Sequence, residues 1–204
     1  QTEPNMKKGA HVVLVGNTSW GMYNFRKDLI HFLIDEGYRV SVVAPFDKEY
    51  SDKIIETGSD YYSVSIDNKG INPIWDLKLL LDLIKIYKKL KPDFIFHYTI
   101  KPVIYGSLAS RLLRIQQVPV ITGLGYAFLA NNFITKIVSI LYRVALKSAK
   151  QVWFLNSDDQ QLFVKKNIIK NRQGFVLKGE GINTDLFKPG DKRTTHTISF
   201  LLAA

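Results

Sequence analysis

The chain contains no cysteine. Disulfides, thiolate nucleophiles and zinc–thiolate sites are therefore excluded, and a chain of this length can bury a substantial core without such staples. Long apolar runs are missing too. No stretch reaches the ~18 residues a membrane span needs; the longest candidate, Phe133 to Leu146, is broken by Lys136 and Arg143. No Gly-Lys-Ser/Thr loop occurs, which removes the phosphate cradle of P-loop hydrolases. The histidines His11, His31, His97 and His196 form no pair at metal-ligand spacing, so no metal site is expected. Internal repeats, low-complexity tracts and a secretory pattern are absent; Gln1–Asn5 reads as a short leader before Met6-Lys7-Lys8.

What is present is a basic chain of 204 residues with a net charge of +10. Such an excess attracts anions: nucleic acid, anionic lipid or phosphorylated substrates. The basic residues are spread along the chain, and the aromatics form no RNA-binding signature, so nucleic acid is not an expected partner.

Ala10 to Val15 is an apolar run ending at Gly16, the pattern of a strand buried on both faces. A polar turn, Asn17-Thr18-Ser19, follows. A helix is expected from about Met22, with Phe25, Leu29, Phe32 and Leu33 on its apolar face. Further strands are expected at Tyr38–Ala44, Tyr61–Ile66, Phe94–Tyr98, Val118–Thr122, Gln151–Leu155 and Gly174–Leu177. Helices fall between them: Asp47–Glu56, Pro73–Leu90, Val103–Leu113, Asn132–Lys147 and a last one capped by Asn156. This alternation predicts an α/β, Rossmann-like, doubly wound parallel sheet. Residues 6–189 read as one domain. From Lys178 the texture changes to glycines, Pro189 and a polar run; residues 190–204 read as a linker and the first strand, Thr197–Leu202, of a second domain.

Dinucleotide binding fails two tests. The turn Gly16-Asn17-Thr18-Ser19-Trp20-Gly21 has threonine where the middle glycine of the fingerprint belongs, and the second strand ends in Ala44-Pro45 instead of an acid. What remains is a row of polar groups at strand ends. Asn17, Thr18 and Ser19 follow strand one; His97, Tyr98, Thr99 and Lys101 follow strand four; Gly123, Gly125 and Tyr126 follow strand five; Asn156, Asp158 and Asp159 follow strand six. A parallel sheet brings such ends to one edge, where doubly wound folds bind ligands. Hydroxyls, amides and one lysine suit a sugar or a phosphate. A lone histidine such as His97 is more often a packed or hydrogen-bonded structural residue than a ligand-contacting one.

Four segments resemble the N-terminal half of bacterial family 4 glycosyltransferases of the two-domain GT-B fold. They are Asn17–Arg26, Tyr98–Pro102 with Tyr105–Ala109, Thr122–Phe128, and Gly179–Pro189. The first three are similar to the subgroup acting on undecaprenyl-diphosphate-linked saccharides. The resemblance implies an acceptor-side domain whose C-terminal partner domain grips a nucleotide sugar, UDP-linked, with retention of anomeric configuration and no cofactor or metal. It implies acceptor or phosphate contacts from Gly16, Asn17, Thr18, Ser19, Asn24, Arg26, His97, Tyr98, Thr99, Lys101, Gly123, Gly125 and Tyr126, and donor-side or interdomain roles for Asn156, Glu180 and Asn183. The fragment alone is expected to be inactive. Where many members carry a cleft histidine, this chain reads Thr122-Gly123-Leu124-Gly125, so no catalytic residue is assigned. A lipid-linked acceptor implies work at the inner face of the cytoplasmic membrane. The helix Phe133–Lys147 has Lys136, Arg143 and Lys147 on one side and Ile134, Ile137, Val138, Leu141 and Val144 on the other, which suits either an anionic membrane surface or packing on the sheet. A sugar-nucleotide epimerase and a non-catalytic sugar- or lipid-binding module are the competing readings.

Overall fold

A computed structural model describes residues 7–68, 72–124, 128 and 133–190. Seven parallel strands form one sheet in the order β3-β2-β1-β4-β5-β6-β7. They are β1 (His11–Val15), β2 (Arg39–Ala44), β3 (Asp60–Ser63), β4 (Phe94–Tyr98), β5 (Gln116–Ile121), β6 (Val152–Phe154) and β7 (Gly174–Val176). The helices are α1 (Ser19–Asp35), α2 (Tyr50–Glu56), α3 (Pro73–Leu90), α4 (Ser107–Leu113), α5 (Phe133–Leu146) and α6 (Ser157–Lys165). The chain starts in the middle of the sheet, winds outward to β3, then crosses back to β4 and winds the other way. This winding puts α1 and α2 on one face and α3 to α6 on the other, as right-handed crossovers would.

The core follows that division. Val12, Leu14, Val42, Phe96 and Val118 meet Met22, Ile30 and Leu33 of α1 and Ile54 of α2. On the opposite face Val13, Val43 and Ile95 meet Leu79, Leu83 and Tyr87 of α3. Farther along that face, Ile121, Val152 and Phe154 meet Val138, Tyr142 and Leu146 of α5 and Phe163 of α6. The central strands are buried on both faces, which is why their sequences run apolar without alternation.

One expectation needs correction, and one open alternative is narrowed. The first helix begins at Ser19, not Met22, because Thr18 adopts an extended backbone and its Oγ1 accepts from the Gly21 amide at 3.0 Å. That start fixes the core face as Ser19, Met22, Arg26, Ile30 and Leu33. Phe25 and Phe32 sit one position off this stripe and are 63% and 58% exposed. The second point concerns α5, for which a membrane surface and packing on the sheet both stood open. It buries Val138, Tyr142, Ala145 and Leu146 in the core, as the packing alternative has it, while Ile140 and Val144 stay exposed. Arg143 donates to the carbonyls of Asn167 and Lys166, each at 2.8 Å, and is thereby committed to the fold. Smaller shifts occur at element ends. For example, β3 starts at Asp60, and Asp47 precedes α2 as a turn whose carboxylate accepts from the Tyr50 amide at 2.9 Å. The site candidates Gly125 and Tyr126, the helix start at Asn132 and the strand Thr197–Leu202 lie outside the described residues.

Candidate functional site

The reversal of winding between β1 and β4 makes a topological switch point, and a crevice opens there at the carboxyl edge of the sheet. It encloses about 330 Å³ and is lined by Asn17, Asn68, Thr99, Ile100, Lys101, Thr122 and Gly123. Asn17 follows β1, Thr99 to Lys101 follow β4, and Thr122 and Gly123 follow β5. Asn68 reaches in from the loop after β3, donating from Nδ2 to the Asn17 carbonyl at 3.0 Å.

Thr99 has φ of +69°, a left-handed conformation that a β-branched residue adopts only under constraint. Its Oγ1 donates to the Tyr98 carbonyl. Strain of this kind, of order 1–3 kcal/mol, concentrates at ligand sites. Directly after it, Pro102–Gly106 forms a π turn, another departure found at functional positions. Gly106 is needed there: a Cβ would run into the His97 ring and come within 3.0 Å of Tyr87 Oη.

Beneath the crevice Lys101 Nζ lies 2.7 Å from Asp76 Oδ1, with both side chains largely buried. The Tyr105 hydroxyl also bonds Asp76. Burial, followed by that carboxylate, pushes the Tyr105 phenol above its ordinary pKa, so it stays protonated and donates. Asp76 sits in the first turn of α3, where the helix dipole favours its negative charge; Asn72 caps that end by accepting from Ile74 N at 3.1 Å.

A second cluster stands beside the first. Arg26 is buried; its guanidinium lies 4.2 Å from the Tyr98 ring centroid, and Nη2 meets Glu180 Oε1 at 2.7 Å. Glu180 belongs to the segment leaving β7, so this pair fastens that segment to α1. Burial raises the Tyr98 phenol above its usual pKa.

The remaining described candidates from the sequence lie outside the lining of this crevice. His97 is fully buried on the opposite face, its Nε2 2.9 Å from Tyr87 Oη. Burial lowers its pKa to about 3, so the ring is neutral and does not line the crevice. Ser19 donates to the Pro45 carbonyl at 2.7 Å, tying the β1–α1 turn to the end of β2. Gly16 makes room for Met22, whose thioether a Cβ would strike. Thr18 caps α1. Asn24 is exposed and donates to the Trp20 carbonyl at 2.9 Å. Asn156 caps α6, accepting from Asp159 N at 2.8 Å, and Asn183 accepts from the Asp185 and Leu186 amides in a turn. Asn17, Thr99, Lys101 and Gly123 are thus brought together, and Arg26, Tyr98 and Glu180 form the neighbouring cluster. Sequence reasoning missed Asn68, Thr122, Asp76 and Tyr105 as site residues. Asp76 carried one signal, an acid in the first turn of a helix; nothing local announced its pairing with Lys101, 25 residues away.

A larger hollow of about 620 Å³ lies elsewhere, among Phe94, Phe96, Arg114, Gln117, Val118 and Trp153. It sits at the amino ends of β4 to β6, opposite the edge where a doubly wound sheet presents its functional groups. Among the described residues, no three His, Asp or Glu side chains cluster as a metal site, and no helix is long and apolar enough to cross a membrane.

A Rossmann-like sheet with a polar crevice at its switch point defines the class. Within it, residues 11–156 match the family described as glycosyl transferase 4-like, and the chain belongs to that family. It is 29% identical over 173 residues to the Campylobacter jejuni N,N'-diacetylbacillosaminyl-diphospho-undecaprenol alpha-1,3-N-acetylgalactosaminyltransferase, covering 82% of this chain and 46% of that enzyme. A Rickettsia africae glycosyltransferase structure superposes with a TM-score of 0.65 at 16% identity, over 89% of this chain and 45% of that one. A UDP-N-acetylglucosamine 2-epimerase superposes less closely, with a TM-score of 0.57 at 16% identity, over 83% of this chain and 48% of that one. The chain thus spans about half the length of the relatives it matches. The two structures share the Rossmann-like fold of the GT-B kind.

Proposed function

We propose that this chain is the acceptor-side half of a retaining glycosyltransferase that moves a sugar from a nucleotide sugar, UDP-linked, to an undecaprenyl-diphosphate-linked saccharide. One observation carries the reading: the crevice at the β1/β4 switch point is lined by amides and hydroxyls of Asn17, Asn68, Thr99 and Thr122, the donor and acceptor set that sugar hydroxyls require. Support for the lipid-linked acceptor comes from the name of the Campylobacter relative. The donor would be held by a further domain, and Arg26–Glu180 would fix the start of the segment that leads toward it. The net charge of +10 suits peripheral work at the inner face of an anionic membrane.

The test is transfer of radiolabelled sugar by the longer protein containing this chain, supplied with UDP-sugars and an undecaprenyl-diphosphate saccharide. Label moving into the lipid fraction is expected, with the anomeric configuration of the donor kept. An epimerase of the same fold would instead convert the nucleotide sugar without any lipid acceptor. The epimerase likeness rests on fold alone at 16% identity, and the relative at 29% favours transfer.

A further inference from the structure

Both buried cations at the carboxyl edge already have a carboxylate partner. Arg26 meets Glu180, and Lys101 meets Asp76, each at 2.7 Å. The Lys101 and Asp76 side chains are 14% and 6% exposed, so water screens the pair weakly. The other described groups lining the crevice, Asn17, Asn68, Thr99, Ile100, Thr122 and Gly123, carry no charge.

We propose that Asp76 determines the charge class of saccharide this crevice accepts: by holding Lys101 in a buried ion pair, it selects an uncharged ring and disfavours one bearing a carboxylate or phosphate. The inference rests on the acceptor-saccharide reading above and deepens it. An anionic ring entering the crevice loses its hydration and meets Lys101 and Asp76 together, so the attraction of one is offset by the repulsion of the other. A neutral ring loses less on desolvation and exchanges water for amide and hydroxyl partners. Tyr105 reinforces the arrangement by donating to Asp76, which helps hold the carboxylate in place. The diphosphate of a lipid-linked acceptor then stays outside the crevice, and only its sugar enters.

The test uses the 204-residue chain and two ring pairs, methyl galactoside with methyl galacturonide and methyl glucoside with methyl glucuronide, titrated by NMR. Each pair differs only in the carboxylate at C6. The chain as it stands is expected to prefer the neutral ring of the pair it binds. Asp76→Asn leaves Lys101 uncompensated and shifts the neutral-to-acid affinity ratio toward the acid by about tenfold or more, as a close, poorly screened charge should. Lys101→Gln leaves Asp76 alone and shifts the ratio the other way; it decides the matter if Asp76→Asn fails to fold. Asp76→Asn with Lys101→Gln restores the original preference. Ratios unchanged in the single variants, with binding retained, overturn the role of Asp76 while leaving the saccharide reading intact. A parent chain that prefers the acid ring does the same. Absence of binding by every ring overturns the saccharide reading and this inference with it.

Discussion

At the scale of single residues, the crevice is made by side chains held in positions they would not choose alone. Thr99 is the clearest: its φ of +69° is tolerated because Tyr98 before it and the π turn after it are fixed in the core. Thr99→Gly should therefore raise the stability of the fold by about 1 kcal/mol, measured by urea unfolding, since glycine adopts this backbone without strain. A lower stability would mean that the conformation is not strained. His97 illustrates the opposite situation, a polar group enclosed with its partner. Its folded pKa is about 3 against 6.5 for the free side chain, so below pH 6.5 the unfolded chain takes up a proton that the folded chain refuses. Stability should be flat above pH 7 and fall as pH drops from 6.5 toward 3, by at most ~1.4 kcal/mol per pH unit from this residue. His11, whose pKa burial also lowers, adds in the same direction. In His97→Gln the slope should shrink without vanishing; an unchanged slope would show that His97 is not the source.

At the scale of elements, helix ends do much of the positioning. Asn72 caps α3, and Asp76, one turn on, receives Lys101 beneath the crevice. Asn72→Ala should cost about 1 kcal/mol in unfolding free energy. It should also weaken saccharide binding, because fraying of that turn releases Asp76. The same unfolding cost with binding untouched would separate the cap from the site. Element ends are also where the sequence is hardest to read. The apolar runs of β1, β2 and β4 declare buried parallel strands, and Asn72-Pro73 declares a helix start. The start of α1 is concealed, because Trp20 and Phe25 look like core residues until Thr18 is known to cap the helix. Arg26 looks like a surface charge until Glu180 arrives from the far side of the sheet.

At the scale of the whole molecule, the sheet order does what no single motif can. It gathers Asn17, Asn68, Thr99, Lys101 and Thr122 from four different strand ends into one crevice. The α/β class and the row of strand-end polar groups are legible in the sequence, since both follow from the alternation of apolar runs and turns. Which of those groups face the crevice is not, because His97 and Tyr98 are neighbours in β4 yet point to opposite faces of the sheet. The long-range partners Asp76 and Glu180 are equally invisible before the fold is known. The central claim is that this crevice, and not the larger apolar hollow at the amino ends of β4 to β6, receives the acceptor sugar. Amide chemical-shift mapping of the chain with a water-soluble, short-chain prenyl diphosphate carrying an N-acetylhexosamine tests it most directly. The account predicts shifts centred on Asn17, Asn68, Thr99, Thr122 and Gly123; shifts centred instead on Phe94, Arg114, Gln117 and Trp153 would contradict it.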